Sequence, residues 1–562
     1  MSEEKLNYGK TFIIGLGFFT TGVSWALYNS YMPIFLRDYI SSSSIIGFIM
    51  ALDNILALFF YPIIGAFSDR VRTRIGRRMP FIVIGIPVSA FFFALLPFDK
   101  TIASLLGYSL QGDLTAAFVI RMLLVMFFIA GMTIYRSPVV ALMPDVTPHR
   151  HRSTANGVIN LMGGVGAVFA YGFGSMMYGV DRALPFIVTS VIMIASLILM
   201  YAFIKEPKVP PVSEDRVEKV KIVPAMKEIF TEKDKSALFI LLAILLWFMS
   251  YNAIESWFTT YATKTLVKSE KIVNLNKTEG WMASRNDATR QLEYRAPSGE
   301  VVPLSFGDRI VFLSEKQNNQ PIAKETIVLK DDTVIVLQPG GAATTIGVNQ
   351  HYKIPYKENN SITLAQNGNT LLVEDGLERN ILELPSRFTL SSPEKCPLDS
   401  GAEFCREVKE NEASFALTLF SLMFLLVSIP AGFLSIKIGR KRTIMAGISG
   451  LVAVLVISLF VKNITVLTYV LALGGVFWAF ININSITMVW EIATDERLGT
   501  YTGVYYFFSQ TAQIAAPVVF GMFFDMMGYS VLFPTSIAFM VLALVCMSRV
   551  RKGEYEKGVR QA

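Results

Sequence analysis

The chain has 562 residues, of which 52% are hydrophobic and only 17% charged, with a mean hydropathy of +0.47. Soluble domains carry about a quarter charged residues, so this composition excludes an ordinary globular protein and points to a membrane. The net charge of +7 is no sign of nucleic acid, because most basic residues lie in short stretches between apolar runs, and three cysteines are too few for a disulfide scaffold or a metal cluster.

A helix needs about 20 apolar residues to cross a bilayer. Six such spans are read at about 11–36, 44–66, 79–97, 115–141, 154–178 and 183–204. Six more follow at about 237–262, 413–435, 442–461, 465–490, 501–524 and 529–549. The first is too long for the core of a cleavable signal and has no clear cleavage site. The expected fold is therefore an all-α membrane protein of twelve transmembrane helices in two six-helix halves. Residues 1–204 form the first half and 205–236 a charged linker; 237–263 hold the seventh span and 412–562 the last five with the tail. Loop charge sets the orientation, since Lys and Arg gather on the cytoplasmic side. Segments 1–10, 67–79, 143–154, 205–236, 436–443, 491–500 and 549–562 hold 27 Lys and Arg, whereas the opposite short segments hold Arg37, Lys100, Arg182 and Lys462. Both termini are expected in the cytoplasm, beneath a plasma membrane.

Residues 264–411 break the pattern. Runs of β-type residues (Arg309–Leu313, Glu325–Leu329, Thr333–Leu337) alternate with turns, and Asn367-Gly368 sits inside the run from Ser361 to Val373, a hairpin signal. A β-rich extracellular domain is expected between the seventh and eighth spans; its ligand is unknown. Cys396 and Cys405 fall in it, either as an outside disulfide or as two free thiols. Cys546, in the last span, reads as a small packing residue.

Residues 65–81 read Gly-Ala-Phe-Ser-Asp-Arg-Val-Arg-Thr-Arg-Ile-Gly-Arg-Arg-Met-Pro-Phe, and Gly432 to Arg442 is a shorter version in the second half. Asp69, Arg70, Arg74, Gly76, Arg77 and Arg78 form the first loop, with Asp145 and Arg152 between the fourth and fifth spans. Gly439, Arg440, Glu491 and Arg497 hold the equivalent places. Two readings stand: a cytoplasmic gate of ion pairs that breaks during cycling, or solvated charges that only set topology, since exposed pairs are worth little.

The repeated Gly-x-x-Ser-Asp-Arg…Gly-Arg-Arg loop resembles the signature of the major facilitator superfamily. Superimposing Gly157 on Gly503 pairs Asp145 with Glu491, Arg136 with Asn482 and Asn156 with Thr502, consistent with halves related by an axis along the membrane normal and a substrate bound between them. The longer form from Ser68 to Phe81 resembles the glycoside–pentoside–hexuronide:cation symporters. Tyr135-Arg136-Ser137-Pro138, Ala141 to Asp145 and Arg152 to Gly157 look like the sucrose/proton-symporter branch. The resemblance covers both halves but not the insert, and implies cation-coupled uptake of a saccharide or glycoside, with a sucrose- or maltose-type disaccharide favoured. Melibiose-type members carry two acidic residues shortly before a Pro-x-x-Gly. Here Pro62-Ile-Ile-Gly65 is present, but Ala57 and Tyr61 stand at the matching positions. The sodium site of that branch therefore looks absent, which makes the proton the expected coupling ion.

Ionisable groups inside spans are costly and are functional candidates by default. Asp53, the carboxylate inside the second span, is the first candidate for carrying the proton. Arg136 balances it, grips substrate hydroxyls or forms a structural ion pair. Glu255 is the next carboxylate, though near enough to the outer end to face water. Arg121 and Asp113 read as interfacial. Sugars need hydrogen-bonding groups around the ring edge and flat aromatic faces against their C–H groups. Candidates are Trp25, Tyr28, Asn29 (with Tyr31 nearby), Asn156, Asn160, Tyr251, Asn252, Asn482, Asn484, Tyr506, Gln510 and Gln513. Singly, each is as well explained as glue between helices; together they outline a hydrated central cavity.

The sequence holds no catalytic constellation, no metal-ligand spacing among its three histidines and no phosphate-binding Gly-Lys-Ser/Thr loop. A non-enzymatic secondary transporter without cofactors is expected. Two rivals remain: an exporter of amphipathic drugs or lipids on the same fold, and a membrane-anchored sensor or glycan-binding protein acting through the insert.

Overall fold

A computed structural model describes residues 7–108, 114–147, 151–206, 234–271, 408–492 and 498–551, and, between 281 and 407, the strands and some of the turns joining them. Among the described residues, twelve helices are long and apolar enough to cross a membrane. They are α1 (Tyr8–Arg37), α2 (Ser43–Arg70), α3 (Met79–Leu95), α4 (Thr115–Val146), α5 (Arg152–Phe169), α6 (Leu184–Phe203), α7 (Ser236–Thr265), α8 (Glu410–Ile438), α9 (Arg440–Phe460), α10 (Ile464–Ile492), α11 (Leu498–Met527) and α12 (Leu532–Arg549). A 3-10 turn, Leu96–Phe98, and a short helix, Asp99–Leu105, prolong α3. A π turn, Ala170–Gly174, and a last turn, Ser175–Val180, prolong α5.

The chain divides into two compact units. One holds residues 1–261, 410–461 and 466–562; the other holds 262–409 with 462–465.

Helix ends follow local chemistry. Asn7 caps α1 by accepting from Lys10 N at 3.0 Å, and Pro80 opens α3, where a missing N–H costs nothing. Within the helical unit, α1 packs on α5 and α6, α3 on α4 and α6, and α9 on α12. The two halves meet along α2 with α11 and along α5 with α8. The α2–α11 crossing is tight enough to require glycine: a Cβ on Gly47 would lie 2.1 Å from Pro517 O, and one on Gly521 2.5 Å from Ser43 O.

Arg121 is buried in an ion pair. Its guanidinium, 3% exposed, pairs with the buried Asp99 through Nη2–Oδ1 at 2.7 Å and Nε–Oδ2 at 2.9 Å, and lies 4.7 Å from the Phe35 ring centre. The Tyr39 hydroxyl donates to the same carboxylate. Helical continuation past the expected end of the third span brings Asp99 there. Asp113 lies outside the described residues.

Among the described residues, the inserted unit holds sixteen strands. Strands β1 (Val267–Lys271) and β16 (Glu403–Glu407) pair antiparallel at its base. β2 (Met282–Arg285), β3 (Leu292–Arg295) and β4 (Val301–Leu304) form a three-stranded meander, and β6 (Lys316–Gln317) and β7 (Gln320–Pro321) a small hairpin. A five-stranded sheet has the order β10 (Ala343–Gly347), β9 (Thr333–Leu337), β8 (Glu325–Lys330), β5 (Arg309–Leu313), β15 (Phe388–Thr389). β11 (His351–Tyr356), β12 (Asn360–Asn367), β13 (Thr370–Asp375) and β14 (Glu378–Leu382) form a four-stranded meander. Asn367 pairs with Thr370, so the expected hairpin closes through two residues. Trp281, Leu292, Tyr294, Val302, Leu304, Ile310, Val328 and Leu337 form a core shared by the three-stranded meander and the five-stranded sheet, with Trp281 Nε1 donating to Gln338 O at 2.7 Å. Cys396 and the side chain of Cys405 lie outside the described residues.

Candidate functional site

Alternation of buried and open faces along α1 turns Trp25 and Tyr28 toward α2 and α4. Arg136, on α4, lies between the faces of Trp25 and Tyr61, 5.9 and 5.6 Å from their ring centres, with Nη1 donating to Tyr61 Oη at 3.1 Å. Ser137 Oγ donates to Tyr61 O at 3.3 Å, fixing that stretch of α2 against α4. Asp53, 8% exposed, accepts from Asn54 Nδ2 at 2.9 Å and acts on Arg136 through space; among the described residues the two form no direct ion pair. Tyr28 Oη, beside Asp53, and Trp25 Nε1 are buried without a hydrogen-bond partner among the described residues. Phe128 holds both rings, edge-on to Trp25 and tilted by 33° against Tyr28. The result is a carboxylic acid, a cation held by neutral aromatic partners, and two uncommitted polar atoms that a ligand can engage. Tyr61 is the member that sequence reasoning left out, although it was already conspicuous in the place of an acidic residue.

A second group joins α1 to α7. Asn29 lies near Glu255, and Tyr251 lies flat on Trp478 at 4.1 Å between ring centres. Trp478 gave no sequence signal beyond being a tryptophan inside a span.

The other expected ligand residues divide differently. The amides of Asn160, Asn252 and Asn484 donate to Asn156 O, Phe248 O and Phe480 O at 2.8, 2.7 and 2.9 Å, each four residues back on its own helix. One donor of each is thus used locally. Asn156 is exposed, Asn482 half-buried with its carbonyl accepting from Ser485 Oγ, and Gln510 and Gln513 half-buried on α11. Tyr506 is 53% exposed, its ring edge-on to Tyr505.

The basic loops close on their own halves. Arg77 Nη2 meets Asp145 Oδ1 at 2.5 Å and Arg78 Nε meets Oδ2 at 3.1 Å. Arg440 Nη1 meets Glu491 Oε1 at 2.6 Å and Thr487 O at 2.9 Å. Gly76 and Gly439, which precede these arginines, sit at φ +117° and +95°, where glycine is favoured. These described ion pairs tie helices within a half rather than across halves. Arg70 and Arg74 are exposed. The side chains of Asp69, Arg152 and Arg497 lie outside the described residues. Sequence reasoning missed Glu206, whose carboxylate accepts from the amides of Arg77, Arg78 and Met79 at 2.8, 3.0 and 2.7 Å and so caps α3. The Lys205-Glu206-Pro207 punctuation after α6 was its only signal. In the second half the charge is reversed: Lys441 Nζ donates to Val550 O at the end of α12, at 2.6 Å.

Comparison with known proteins follows this geometry. The sequence profile of the Major Facilitator Superfamily matches residues 14–270 and 401–562, more than half of the chain. The sucrose transport protein SUC3 of Arabidopsis thaliana is 27% identical over 157 residues, 27% of this chain and 26% of that protein. The tetracycline resistance protein, class H, of Pasteurella multocida is 26% identical over 179 residues, 31% of this chain and 39% of that protein. The chain thus spans roughly a quarter to two fifths of the curated relatives it matches. The fold is similar to that of the nucleoside transporter NupG, with a TM-score of 0.57 at 10% identity over 96% of this chain and 100% of the other. It is also similar to an inward-facing bacterial homologue of the human lysosomal transporter Spinster, with a TM-score of 0.54 at 10% identity over 97% and 96%. Two helical halves carrying matched basic loops, with a sequence profile across both, lead to one conclusion: this chain belongs to the Major Facilitator Superfamily.

Proposed function

We propose that the protein is a proton-coupled symporter of a sugar or glycoside, a disaccharide favoured, working by alternating access in a plasma membrane with both termini cytoplasmic and the insert outside. The observation that carries this reading is Asp53: a buried carboxylate inside a span, with Arg136 as its through-space counter-charge and uncommitted polar atoms of Trp25 and Tyr28 beside it. When Asp53 holds a proton, Arg136 loses its compensation and its remaining N–H groups turn to a ligand's oxygens. When the sugar leaves, the carboxylate regains the arginine and releases the proton. Intramembrane charges of this kind mark proton relays. Similarity to the sucrose transport proteins supports the sugar. Tyr61, in place of an acidic residue, supports the proton over sodium.

The test is uptake into proteoliposomes with an interior pH dye. Sugar added outside acidifies the interior if sugar and proton enter together. Asp53→Asn abolishes uphill uptake and leaves sugar exchange intact; survival of uphill uptake removes Asp53 from the coupling site.

Export of amphipathic compounds is the second reading, supported by similarity to the tetracycline resistance protein. It predicts no response to sugars and proton movement on adding a hydrophobic cation.

A further inference from the structure

Charged groups bridge the two halves at one end of the helical unit. At the end that carries the basic loops, the ion pairs of Arg77 and Arg78 with Asp145, and of Arg440 with Glu491, each stay within a half. At the opposite end a carboxylate crosses. Asp525, near the end of α11, accepts from the amides of Ser43 and Ser44 at 2.6 and 2.9 Å and from the hydroxyls of Ser42 and Ser44 at 2.8 and 2.6 Å. Tyr529, in the turn from α11 to α12, shares a 3.1 Å hydrogen bond with Ser43 Oγ, and the Arg37 guanidinium lies 5.2 Å from its ring centre. Arg37 Nη2 donates to the same Ser43 hydroxyl at 3.0 Å. The end of α1, the start of α2 and the end of α11 are thus bound into one polar cluster across the halves.

We propose that Asp525 is the latch of a gate at this end: its carboxylate holds α11 to α2 while the path between the halves is shut here, and leaves the start of α2 when the path opens. The latch rests on the alternating access of the reading above, and on neither its sugar nor its proton. Several features fit a bond made to break. Hydrogen bonds from helix N-terminal amides to a carboxylate are strong while they last. Asp525 is exposed, so water replaces those bonds on release. α2 also keeps a cap of its own. Ser42 is its N-cap residue, yet its hydroxyl now serves Asp525 and Ser44 and stands 3.5 Å from the Ile45 amide. Freed from Asp525, that hydroxyl can close on the amide, so release leaves fewer helix ends unpaired. Beneath the latch, α2 and α11 approach backbone to backbone at Gly47 and Gly521, and parting them there unthreads no side chain. The crossing of α5 with α8 is the weaker hold: Glu410 takes the Tyr178 hydroxyl and pairs with Arg182, which is 56% exposed.

Hydrogen–deuterium exchange of the purified full-length protein tests the latch, read at both ends of α2, about 40 Å apart. Asp525→Asn should speed exchange over residues 43–47 about tenfold and slow it over 71–79 about threefold, because opening one end closes the other. Ser44→Ala, which removes one donor and keeps the charge, should move both segments in the same directions by less. Arg182→Gln, at the weaker crossing, should slow 71–79 less than Asp525→Asn does. Faster exchange confined to 43–47 would make Asp525 a helix cap and nothing more, and would overturn the latch. Faster exchange at both ends, or no change at either, would overturn it too. Each of these outcomes leaves symport to be judged separately by the uptake assay.

Discussion

The carboxylate of Asp525 accepts a 2.6 Å hydrogen bond from the amide of Ser43, across 482 residues of sequence and across the two halves. The same carboxylate takes the amide of Ser44 at 2.9 Å and the hydroxyls of Ser42 and Ser44 at 2.8 and 2.6 Å. An acid at the end of α11 thus caps the N-terminus of α2, where unpaired amides and the helix dipole favour negative charge. The pseudo-equivalent crossing uses different chemistry. Glu410, in the first turn of α8, accepts from the Tyr178 hydroxyl at the end of α5 and pairs with Arg182 at 2.9 Å.

Asp525→Ala should therefore cost about 1–2 kcal/mol, the scale of a lost helix cap, and Asp525→Asn less, because an amide oxygen still accepts. Arg182→Gln should cost well under 1 kcal/mol, since that pair is open to water. Thermal unfolding of the purified protein ranks the three; equal effects would show that the α2 cap holds no more than the exposed pair does.

The α2–α11 crossing tolerates no side chain at Gly47. Alanine there brings Cβ against Pro517 O, a backbone carbonyl that also accepts from Trp257 Nε1 at 3.2 Å and so has little freedom to move. Overpacking of this kind costs about 1–3 kcal/mol. Gly157→Ala, where a Cβ meets nothing within 4 Å, is the control. A Gly47→Ala protein as stable as that control would mean that the helices separate at no cost.

Removing Asp99 should be among the most damaging single changes in the first half. Breaking a buried ion pair strands a charge and costs about 3–5 kcal/mol, so Asp99→Leu should yield little folded protein. Adding Arg121→Leu should restore much of the loss. Yield and unfolding temperature of the two variants decide it, and a double variant worse than the single would contradict the argument.

Tyr61→Phe keeps the aromatic face against Arg136 and removes the hydroxyl that accepts its N–H. A hydrogen bond to a charged group is worth about 1.5–3 kcal/mol, so apparent sugar affinity should fall at least tenfold while Tyr61→Leu, which also removes the face, falls further. The comparison is of KM for uptake; an unchanged KM in both would detach Tyr61 from the site.

The sequence by itself determined what depends on neighbouring residues. Apolar runs of about 20 residues must be helices in lipid, because only helices and closed barrels satisfy their own backbone there and barrel strands are about half that length. Clustered arginines must be loops, and β-branched runs around Asn367-Gly368 must be strands and turns. Twelve spans, two repeated basic loops and a β-rich insert were therefore legible. Partners were not. Successive helical residues point about 100° apart, so a side chain's neighbour depends on how each helix is rotated and packed. Arg136 and Asp53 stood out by being charged inside spans, but the Tyr61 ring against Arg136 and the through-space geometry belong to the packing of α2 on α4. Asn160, Asn252 and Asn484 satisfied the pattern for ligand residues, yet each donates to its own helix. The ion pair of Arg121 was not legible because the continuation of the third span to Asp99 was invisible. The cap that Asp525 places on Ser43 exists only where distant segments meet, and tertiary structure alone decided it.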